Sequence, residues 1–389
     1  MTNSAVNFNL MAKPTGATCN INCDYCFYLD KKSLYPESDS LKMNDKTLIQ
    51  YIRQYFQASQ NAEEVNFIWQ GGEPTLRGLD FYKRVIELQQ KYAEGKSVSN
   101  TLQTNGIKIN QHWCHFLAKH NFLVGISIDG PKNLHDKYRV NNRGQGTFKQ
   151  VMKAITLLKH HKVAFNTLTT IHQGNMAHGS TIYQFLKDIG SNYQQYIPIV
   201  TSTEELCAQQ KDYSVSAQGY GDFLIEIFNI WVSKDVGKVY VRDFDNILAQ
   251  WLGYPSPICN FRKTCGDALI FEHNGDVYCC DHFVEQKYLL GNINQQLLID
   301  IATSTAAKDF GQQKKTRLTS ACQSCLYLKL CYGGCPKHRI IKLASEKFPH
   351  NYLCQSYKKL FEHITPYMNF MANELKHSRP ASNIMAAQN

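Results

Sequence analysis

Three cysteines near the start of the chain have the residue type and spacing to hold a reactive metal centre. Cys19, Cys23 and Cys26 form a C-x3-C-x2-C array. So short a loop can bring three thiolates to one face of an iron–sulfur cube, whereas a [4Fe–4S] cluster normally takes four cysteines. Three local ligands would leave one iron open, and an open metal position is where chemistry takes place. The array therefore predicts a [4Fe–4S] cluster whose open iron takes a distant cysteine or a small molecule.

Two simpler interpretations compete with the open cluster. Three close cysteines could bind zinc together with a further Cys or His, or they could be ordinary buried thiols. Zinc sites usually contain paired C-x2-C units, and the x3–x2 spacing fits that pattern poorly. The spacing therefore favours the iron–sulfur cluster.

A second group of cysteines follows much later in the chain. Of the fourteen cysteines, nine lie from Cys259 to Cys354. No export signal is evident, so disulfides are not expected. With Cys279 set aside, eight thiolates remain, enough for two complete four-cysteine sites. Zinc is the alternative metal, because four-cysteine zinc sites are common. The eight are Cys259, Cys265, Cys280, Cys322, Cys325, Cys331, Cys335 and Cys354.

Composition limits the possible partners. The 389 residues are 43% hydrophobic and 19% charged, which is typical of soluble globular proteins. No run of about 18 apolar residues occurs, so no membrane-spanning helix is predicted. The segment Met1–Met11 lacks the features of a signal peptide, so we expect a cytoplasmic protein. The net charge is +10, but Lys and Arg are scattered, so no nucleic-acid partner is predicted.

The elements that would position the first cysteines alternate between strand and helix. Val6–Ala12 is a candidate first strand, and at least five strands alternate with helices as far as Val200. This order predicts a parallel sheet of βαβ units. Val65–Trp69 leads into Gly71, Gly72 and Glu73. Gly-Gly-Glu alone is often just a turn, but active-site residues of β/α barrels follow strand ends. A carboxylate there would suit a ligand that carries an ammonium group.

The ordered combination of motifs resembles the anaerobic sulfatase-maturating enzymes, which are radical S-adenosylmethionine enzymes with a SPASM domain. The likeness covers roughly residues 5–375. It implies a partial (β/α)6 TIM-like barrel over residues 1–240, a small cysteine-rich α+β SPASM domain over 241–375, and a poorly ordered tail over 376–389. The motifs that carry it are Lys13-Pro14-Thr15-Gly16, Phe27-Tyr28-Leu29, Gln70-Gly71-Gly72-Glu73-Pro74-Thr75, Gln103-Thr104-Asn105-Gly106, Ser127-Ile128-Asp129-Gly130-Pro131, Tyr278-Cys279-Cys280-Asp281 and Cys331-Tyr332-Gly333-Gly334-Cys335.

The resemblance implies an activity and a set of cofactors. The family oxidises a cysteine or serine of a sulfatase to Cα-formylglycine without oxygen. It uses S-adenosylmethionine and three [4Fe–4S] clusters. The reactive cluster would be held by Cys19, Cys23 and Cys26. The nearer auxiliary cluster would take Cys259, Cys265, Cys280 and Cys335, and the farther one would take Cys322, Cys325, Cys331 and Cys354. Cys279 stands where the family usually has proline and could compete with Cys280.

The same resemblance assigns roles to other residues. Asp281 would be the base that takes the substrate thiol or hydroxyl proton, because a carboxylate near that proton can accept it. Without the resemblance, a turn-capping or ion-paired surface residue is the favoured interpretation of Asp281. Gln70 and Tyr28 are candidates for contacts with the peptide. The predicted cofactor contacts are Tyr25 with adenine, Gly72 and Glu73 with the methionyl ammonium, Ser127 and Arg139 with ribose and carboxylate, and Val200 with adenine.

Partners and alternatives follow from the same reading. The expected partners are an unfolded or nascent sulfatase with a Cys/Ser-x-Pro/Ala-x-Arg motif and a reducing electron donor such as flavodoxin or ferredoxin. Another SPASM enzyme that crosslinks or epimerises a ribosomal peptide is the first alternative. An iron–sulfur or zinc-binding regulator is the second, although a regulator has no need of an open iron.

Overall fold

The computed structural model describes residues 8–201 and 212–387, so Cys207 lies outside the described residues. The described chain divides into two compact units. The first consists of the described residues up to 127 with residues 138–165 and 265–312, and the second of residues 128–137, 166–264 and 313–387. Residues 265–312 thus belong to the same unit as the first cysteines. The predicted domain boundary near residue 240 remains a prediction.

Fourteen strands are described along the chain. They are β1 (Asn9–Lys13), β2 (Ile21–Cys23), β3 (Glu64–Trp69), β4 (Ser97–Thr104), β5 (Leu123–Ser127), β6 (Arg139–Asn141), β7 (Phe165–Ile171), β8 (Tyr193–Pro198), β9 (Tyr240–Val241), β10 (Ala268–Glu272), β11 (Asp276–Tyr278), β12 (Leu289–Asn292), β13 (Arg339–Ile341) and β14 (His350–Asn351).

As far as residue 251 the described α-helices alternate with strands, and later helices follow one another in groups. They are α1 (Asp45–Ala58), α2 (Leu79–Tyr92), α3 (Gln111–Lys119), α4 (Lys132–His135), α5 (Phe148–His160), α6 (Gly179–Asp188), α7 (Gly219–Lys234), α8 (Arg242–Trp251), α9 (Leu298–Ala302), α10 (Thr305–Thr316), α11 (Ser320–Gln323), α12 (Leu328–Cys331), α13 (Cys354–Lys376) and α14 (Ile384–Ala387).

The first unit is built on a largely parallel sheet. Its strand order is β12-β11-β10-β1-β3-β4-β5. The strands from β10 to β5 run parallel, and the pairs β10–β11 and β11–β12 are antiparallel. In the second unit β7, β8 and β9 pair in parallel. The predicted mixed α/β fold with a parallel sheet is therefore confirmed.

Local sequence explains where several elements begin. Asn44 caps α1, because its side chain accepts a hydrogen bond from the Thr47 amide at 2.8 Å. Asn110 caps α3 in the same way through the Trp113 amide. Asn274 and Gly275 form the turn of a hairpin, since β10 and β11 pair antiparallel and Gly275 has a φ of +101°.

An aromatic core holds the sheet of the first unit against α1. The rings of Tyr51 and Phe271 stack with centroids 4.6 Å apart. Tyr51 also meets Phe67 and Trp69 edge to face, and all four side chains are fully buried. Aromatic pairs of this kind add to the stabilisation that comes from burial alone. The carboxyl ends of β1, β3 and β10 therefore sit on a rigid support.

The last residues are structured as far as Ala387. Arg379 and Asn383 both hydrogen-bond the Glu374 carboxylate, and Ile384 is buried. These contacts give regular structure to a segment whose composition predicts a poorly ordered tail. No helix within residues 8–201 and 212–387 is both long and apolar enough to cross a membrane.

Candidate active site

The three N-terminal cysteines lie on the wall of one open cavity of about 550 Å3 in the first unit. The same cavity is lined by four of the predicted cofactor contacts: Tyr25, Gly72, Ser127 and Arg139. It is also lined by Gln70 and Asn105. The fold thus brings together residues that span more than a hundred positions of the sequence.

The strand pair β2 and β6 places a positive charge beside the cysteines. In this antiparallel pair Cys23 lies opposite Arg139. The Arg139 side chain donates a hydrogen bond to the Tyr25 hydroxyl at 2.8 Å. One guanidinium therefore fixes the ring between the second and third cysteines, and it can attract the anionic end of a ligand.

Gly71 and Gly72 line the cavity and also allow close packing of the backbone. The Gly72 amide donates to the Gly16 carbonyl, and the Glu73 amide donates to the Thr18 carbonyl, each at 2.9 Å. A Cβ atom at Gly72 would collide with the Thr18 backbone. Gly71 has a φ of +130°, where glycine is favoured. The double glycine thus lets the end of β3 pack directly on the loop that leads into Cys19.

Glu73 lies behind the cavity wall rather than on it. Its side chain is fully buried, and burial raises the pKa of this carboxyl. The carboxylate accepts hydrogen bonds from the Thr104 hydroxyl at 2.7 Å and from the Asn105 amide at 2.8 Å. The Asn105 side chain in turn lies 3.7 Å from the Cys19 sulfur. Glu73 therefore orders the end of β4 next to the first cysteine, a role that the motif alone did not indicate.

The donor set suits an iron–sulfur cluster. Burial raises the pKa of Cys19 to about 11 and also raises the pKa of Cys26. A bound metal reverses that balance, because coordination deprotonates a thiol outright. Among the described residues, no three or more His, Cys, Asp or Glu side chains are arranged so that they could share one metal ion. Zinc requires ligands within about 2.3 Å of one point, whereas each cysteine of a [4Fe–4S] cube binds a different iron.

Asp281 is held by a buried lysine. It begins a short 3-10 turn directly after Cys280, and its carboxylate lies 2.6 Å from the Lys13 ammonium. The Lys13 side chain is 1% exposed and that of Asp281 is 23% exposed. Lys13 also donates to the Gln70 side-chain carbonyl at 3.2 Å. Asp281 is therefore ion-paired, but its partner Lys13 is a buried residue at the end of β1 and not a surface residue.

Sequence reasoning named Lys13 only as part of a motif and missed this role. The signal was available, because Lys13 directly follows an apolar strand and functional side chains collect at strand ends. Asn105 directly follows the end of β4, so the same signal was available for it, and its role was also missed.

A buried polar chain continues from this pair toward solvent. The Lys13 ammonium lies 4.5 Å from the centre of the Tyr28 ring. The Tyr28 hydroxyl donates to Glu272. Burial and the neighbouring Glu272 hold the pKa of Tyr28 well above its usual value, so the hydroxyl keeps its proton. His273 then lies between Glu272 and Asp39, at 3.5 and 3.1 Å. Tyr28 is therefore fixed next to the Lys13–Asp281 pair.

A second cavity, of about 400 Å3, lies in the second unit. The four cysteines predicted for the farther auxiliary cluster all line it: Cys322, Cys325, Cys331 and Cys354. Burial, with a smaller contribution from the other three thiols, raises the pKa of Cys331 to about 12. The rest of the wall is mostly apolar and consists of Ala321, Tyr327, Leu328, Gly333, Asn351, Tyr357, Lys358 and Phe361. Four converging thiols in an apolar wall are what a closed four-cysteine site requires.

The remaining predicted residues are divided between the units. Cys265 and Cys280 belong to the first unit, and Cys259 and Cys335 to the second, so the nearer auxiliary cluster stays a prediction. Val200, a predicted adenine contact, is buried in the second unit.

Two further cysteines have no predicted ligand role. Cys279 is buried, and burial raises its pKa to about 11. Cys114 is a fully buried thiol on α3.

Comparisons with known proteins agree with this geometry. Residues 14–186 match the Radical SAM superfamily, and residues 259–326 match the SPASM iron-sulfur cluster-binding domain. The chain is thus a radical S-adenosylmethionine oxidoreductase with an additional iron–sulfur domain, and its cofactors are S-adenosylmethionine and [4Fe–4S] clusters.

The similarity extends over almost the whole chain. A serine-type anaerobic sulfatase-maturating enzyme of Bacteroides thetaiotaomicron is 41% identical over 97% of this chain and 94% of its own length. A cysteine-type enzyme of Clostridium perfringens is 33% identical over 95% and 99%. The chain therefore belongs to the anaerobic sulfatase-maturating enzymes.

Solved structures give the same result. Native anSMEcpe with bound AdoMet and Cp18Cys peptide superposes with a TM-score of 0.84 at 32% identity, over 94% of this chain and 99% of that one. Streptococcus suis SuiB bound to S-adenosylmethionine has a TM-score of 0.63 at 16% identity, over 90% and 78%. The likeness to SuiB shows a shared fold.

Proposed function

We propose that the enzyme oxidises one serine or cysteine of an extended sulfatase segment to Cα-formylglycine, with Asp281 as the base. The observation that carries this proposal is the Asp281 carboxylate, fixed 2.6 Å from the buried Lys13 ammonium and directly following a predicted cluster ligand. A partly exposed carboxylate held in one orientation can accept a proton from a substrate that enters from solvent.

The cavity around the first cysteines would hold the groups that oxidise the substrate. Cys19, Cys23 and Cys26 would hold the reactive cluster, and Tyr25, Gly72, Ser127 and Arg139 would surround the cofactor. When bound, the cluster and S-adenosylmethionine supply a carbon radical that removes a hydrogen atom from the substrate Cβ. The role of Glu73 is to hold Asn105 and the end of β4 in place through buried hydrogen bonds.

The proton and the second electron leave the substrate by different routes. Asp281 would take the hydroxyl or thiol proton, and Lys13, itself held by Gln70, keeps the carboxylate oriented. A serine target would give the aldehyde directly, whereas a cysteine target would give a thioaldehyde that water hydrolyses with release of hydrogen sulfide. The C-terminal cysteines would hold the iron–sulfur groups that accept the second electron. Cys259, Cys265, Cys280 and Cys335 are assigned to the nearer cluster, and Cys322, Cys325, Cys331 and Cys354 to the farther one. The fixed sequence Cys280-Asp281 keeps the base next to an electron acceptor.

We expect serine to be the preferred target. Two serine-type relatives are 41% and 37% identical to this chain, against 33% for a cysteine-type relative. The sulfatase would be read while unfolded or nascent, and a flavodoxin or ferredoxin would supply electrons. We assign the reaction to the cytoplasm, where thiols stay reduced and nascent chains are available.

The proposal is tested with the anaerobically reconstituted enzyme, dithionite, S-adenosylmethionine and a pair of sulfatase-motif peptides that differ only in Ser or Cys. Mass spectrometry of the peptide should show formylglycine, with one 5′-deoxyadenosine released per event and faster conversion of the serine peptide. Deoxyadenosine without any change in the mass of either peptide would contradict the proposal, and faster conversion of the cysteine peptide would overturn the serine preference.

A further inference from the structure

The most exposed large hydrophobic side chain that the structure describes lies next to a predicted cluster ligand. Leu326 is 86% exposed, the highest value among the described large apolar side chains. It directly follows Cys325, whose thiol lines the four-cysteine cavity. Single apolar residues on a surface are common, so its surroundings decide whether it has a role.

Leu326 is part of an open groove of about 670 Å3, which we call the Leu326 groove. Its walls are Trp251, Leu326, Tyr327, Leu330 and Thr365. Tyr327 lines both this groove and the four-cysteine cavity. The Tyr327 ring also packs on Phe361, with centroids 5.5 Å apart. A partner bound in the groove would therefore contact a side chain of the cluster wall.

The sequence segment that contains most of the groove residues is rich in basic side chains. Residues 313–365 contain ten Lys or Arg and only two acidic residues, Glu346 and Glu362. Glu346 is already engaged with the Ser320 and Ala321 amides. Lys329, on α12 with Leu330, and Lys358, on α13 with Thr365, are both exposed. An apolar groove carried largely by a segment rich in Lys and Arg fits a partner with an acidic surface.

We propose that the Leu326 groove docks a small acidic one-electron carrier protein of the flavodoxin or ferredoxin kind. This inference rests on the proposed function, in which single electrons enter and leave the enzyme. The sulfatase segment is a poorer fit, because its motif carries an arginine that the basic surface would repel. Apolar contacts at Leu326 provide affinity, and the lysines steer the carrier and make binding sensitive to salt.

The test measures binding rather than turnover. Oxidised, FMN-loaded bacterial flavodoxin is titrated into the reconstituted holoenzyme by calorimetry, and a plant-type ferredoxin is titrated in parallel. Leu326→Glu should weaken carrier binding by about tenfold or more. The matched control is Leu297→Glu, since Leu297 is 55% exposed in the other unit. Raising NaCl from about 0.05 M to about 0.5 M should weaken binding to the parent enzyme.

Several outcomes decide the inference. It is overturned if neither carrier binds the parent enzyme, if Leu326→Glu and Leu297→Glu bind alike, or if a sulfatase-motif peptide displaces the carrier. Iron and sulfide content checks that each variant is loaded. If Leu326→Glu fails to load, Lys329→Glu gives the same test from an exposed charge. Peptide oxidation by the parent enzyme with dithionite needs no carrier, so a failure of the proposed function is seen separately.

Discussion

The two cysteine cavities differ in thiol number and in the chemistry of their walls. The cavity of the first unit has three thiols among polar side chains such as Gln70, Asn105 and Arg139. The cavity of the second unit has four thiols among apolar side chains such as Leu328 and Phe361. A cluster with three protein ligands keeps one iron open and needs polar groups for its small-molecule ligand. A cluster with four ligands in an apolar wall is closed and suited to electron storage. The comparison predicts that the two sites can be disabled separately.

Removing thiols from each cavity gives the largest expected difference. Cys19→Ala, Cys23→Ala and Cys26→Ala together should abolish 5′-deoxyadenosine release and remove about four irons of the twelve in three clusters. Cys322→Ala should lower the iron content but leave deoxyadenosine release measurable, because the first cavity is intact. Chromatography of the nucleoside and an iron assay measure the two effects. Unchanged cofactor cleavage in the triple variant would break the distinction.

Asp281→Asn tests the proton acceptor within the first unit. Loss of a positioned general base typically costs about 10^2- to 10^4-fold in rate, so formylglycine formation should fall by this range. Deoxyadenosine release should continue, since Asp281 is not among the residues that line the cofactor cavity. Asp276→Asn, in the neighbouring hairpin, is the matched control. Equal loss of both products in Asp281→Asn would indicate a structural role.

Sequence patterns predicted the sites better than the packing between them. The triplet, the strand-end rule and four of the eight later cysteines pointed to residues that line the two cavities, because ligand spacing is a local property. Pairings between distant residues were not visible. Lys13 and Asp281 meet only because β1 and β10 pair along their whole length, and one-dimensional periodicity contains no information on strand order.

The position of Glu73 was also beyond the sequence. Its buried hydrogen bonds depend on β4 lying next to β3, so the motif was read as a ligand contact. The regular structure near the C-terminus was not predicted, because it depends on hydrogen bonds from Arg379 and Asn383 to Glu374 that a polar composition does not reveal.

Glu73→Gln measures how far the first cavity depends on its support. One amide nitrogen would face the Asn105 N–H, a donor against a donor in a buried site. We expect binding of S-adenosylmethionine to weaken roughly tenfold and unfolding free energy to fall by about 1–3 kcal/mol. Calorimetry and anaerobic urea unfolding measure the two quantities. Glu87→Gln, on the exposed face of α2, is the control, and similar behaviour of both variants would argue against the supporting role.

Tyr28→Phe removes one hydrogen bond from the buried chain beside Asp281. The Glu272 carboxylate would lose its tyrosine donor, which should reduce the unfolding free energy by about 1–3 kcal/mol. The ring stays under the Lys13 ammonium, so cofactor cleavage should change less than peptide oxidation. Tyr193→Phe, at a 54% exposed position, serves as the control. No loss of stability relative to that control would show that Glu272 finds another donor.

The smallest effect is a pH dependence of stability from His273. Burial lowers the pKa of this imidazole, but hydrogen bonds to Glu272 and Asp39 outweigh it, so the net shift is upward. A raised folded-state pKa gives stability that is complete below the unfolded value, about 6.5, and is lost as pH rises through the folded value. His273→Gln should therefore destabilise the protein more at pH about 6 than at pH about 8. Anaerobic urea unfolding at the two pH values, with exposed His112→Gln as control, measures the difference. A loss that grows with pH would mean that the imidazole is held neutral, and the ionic link from Asp39 to Glu272 would then be absent.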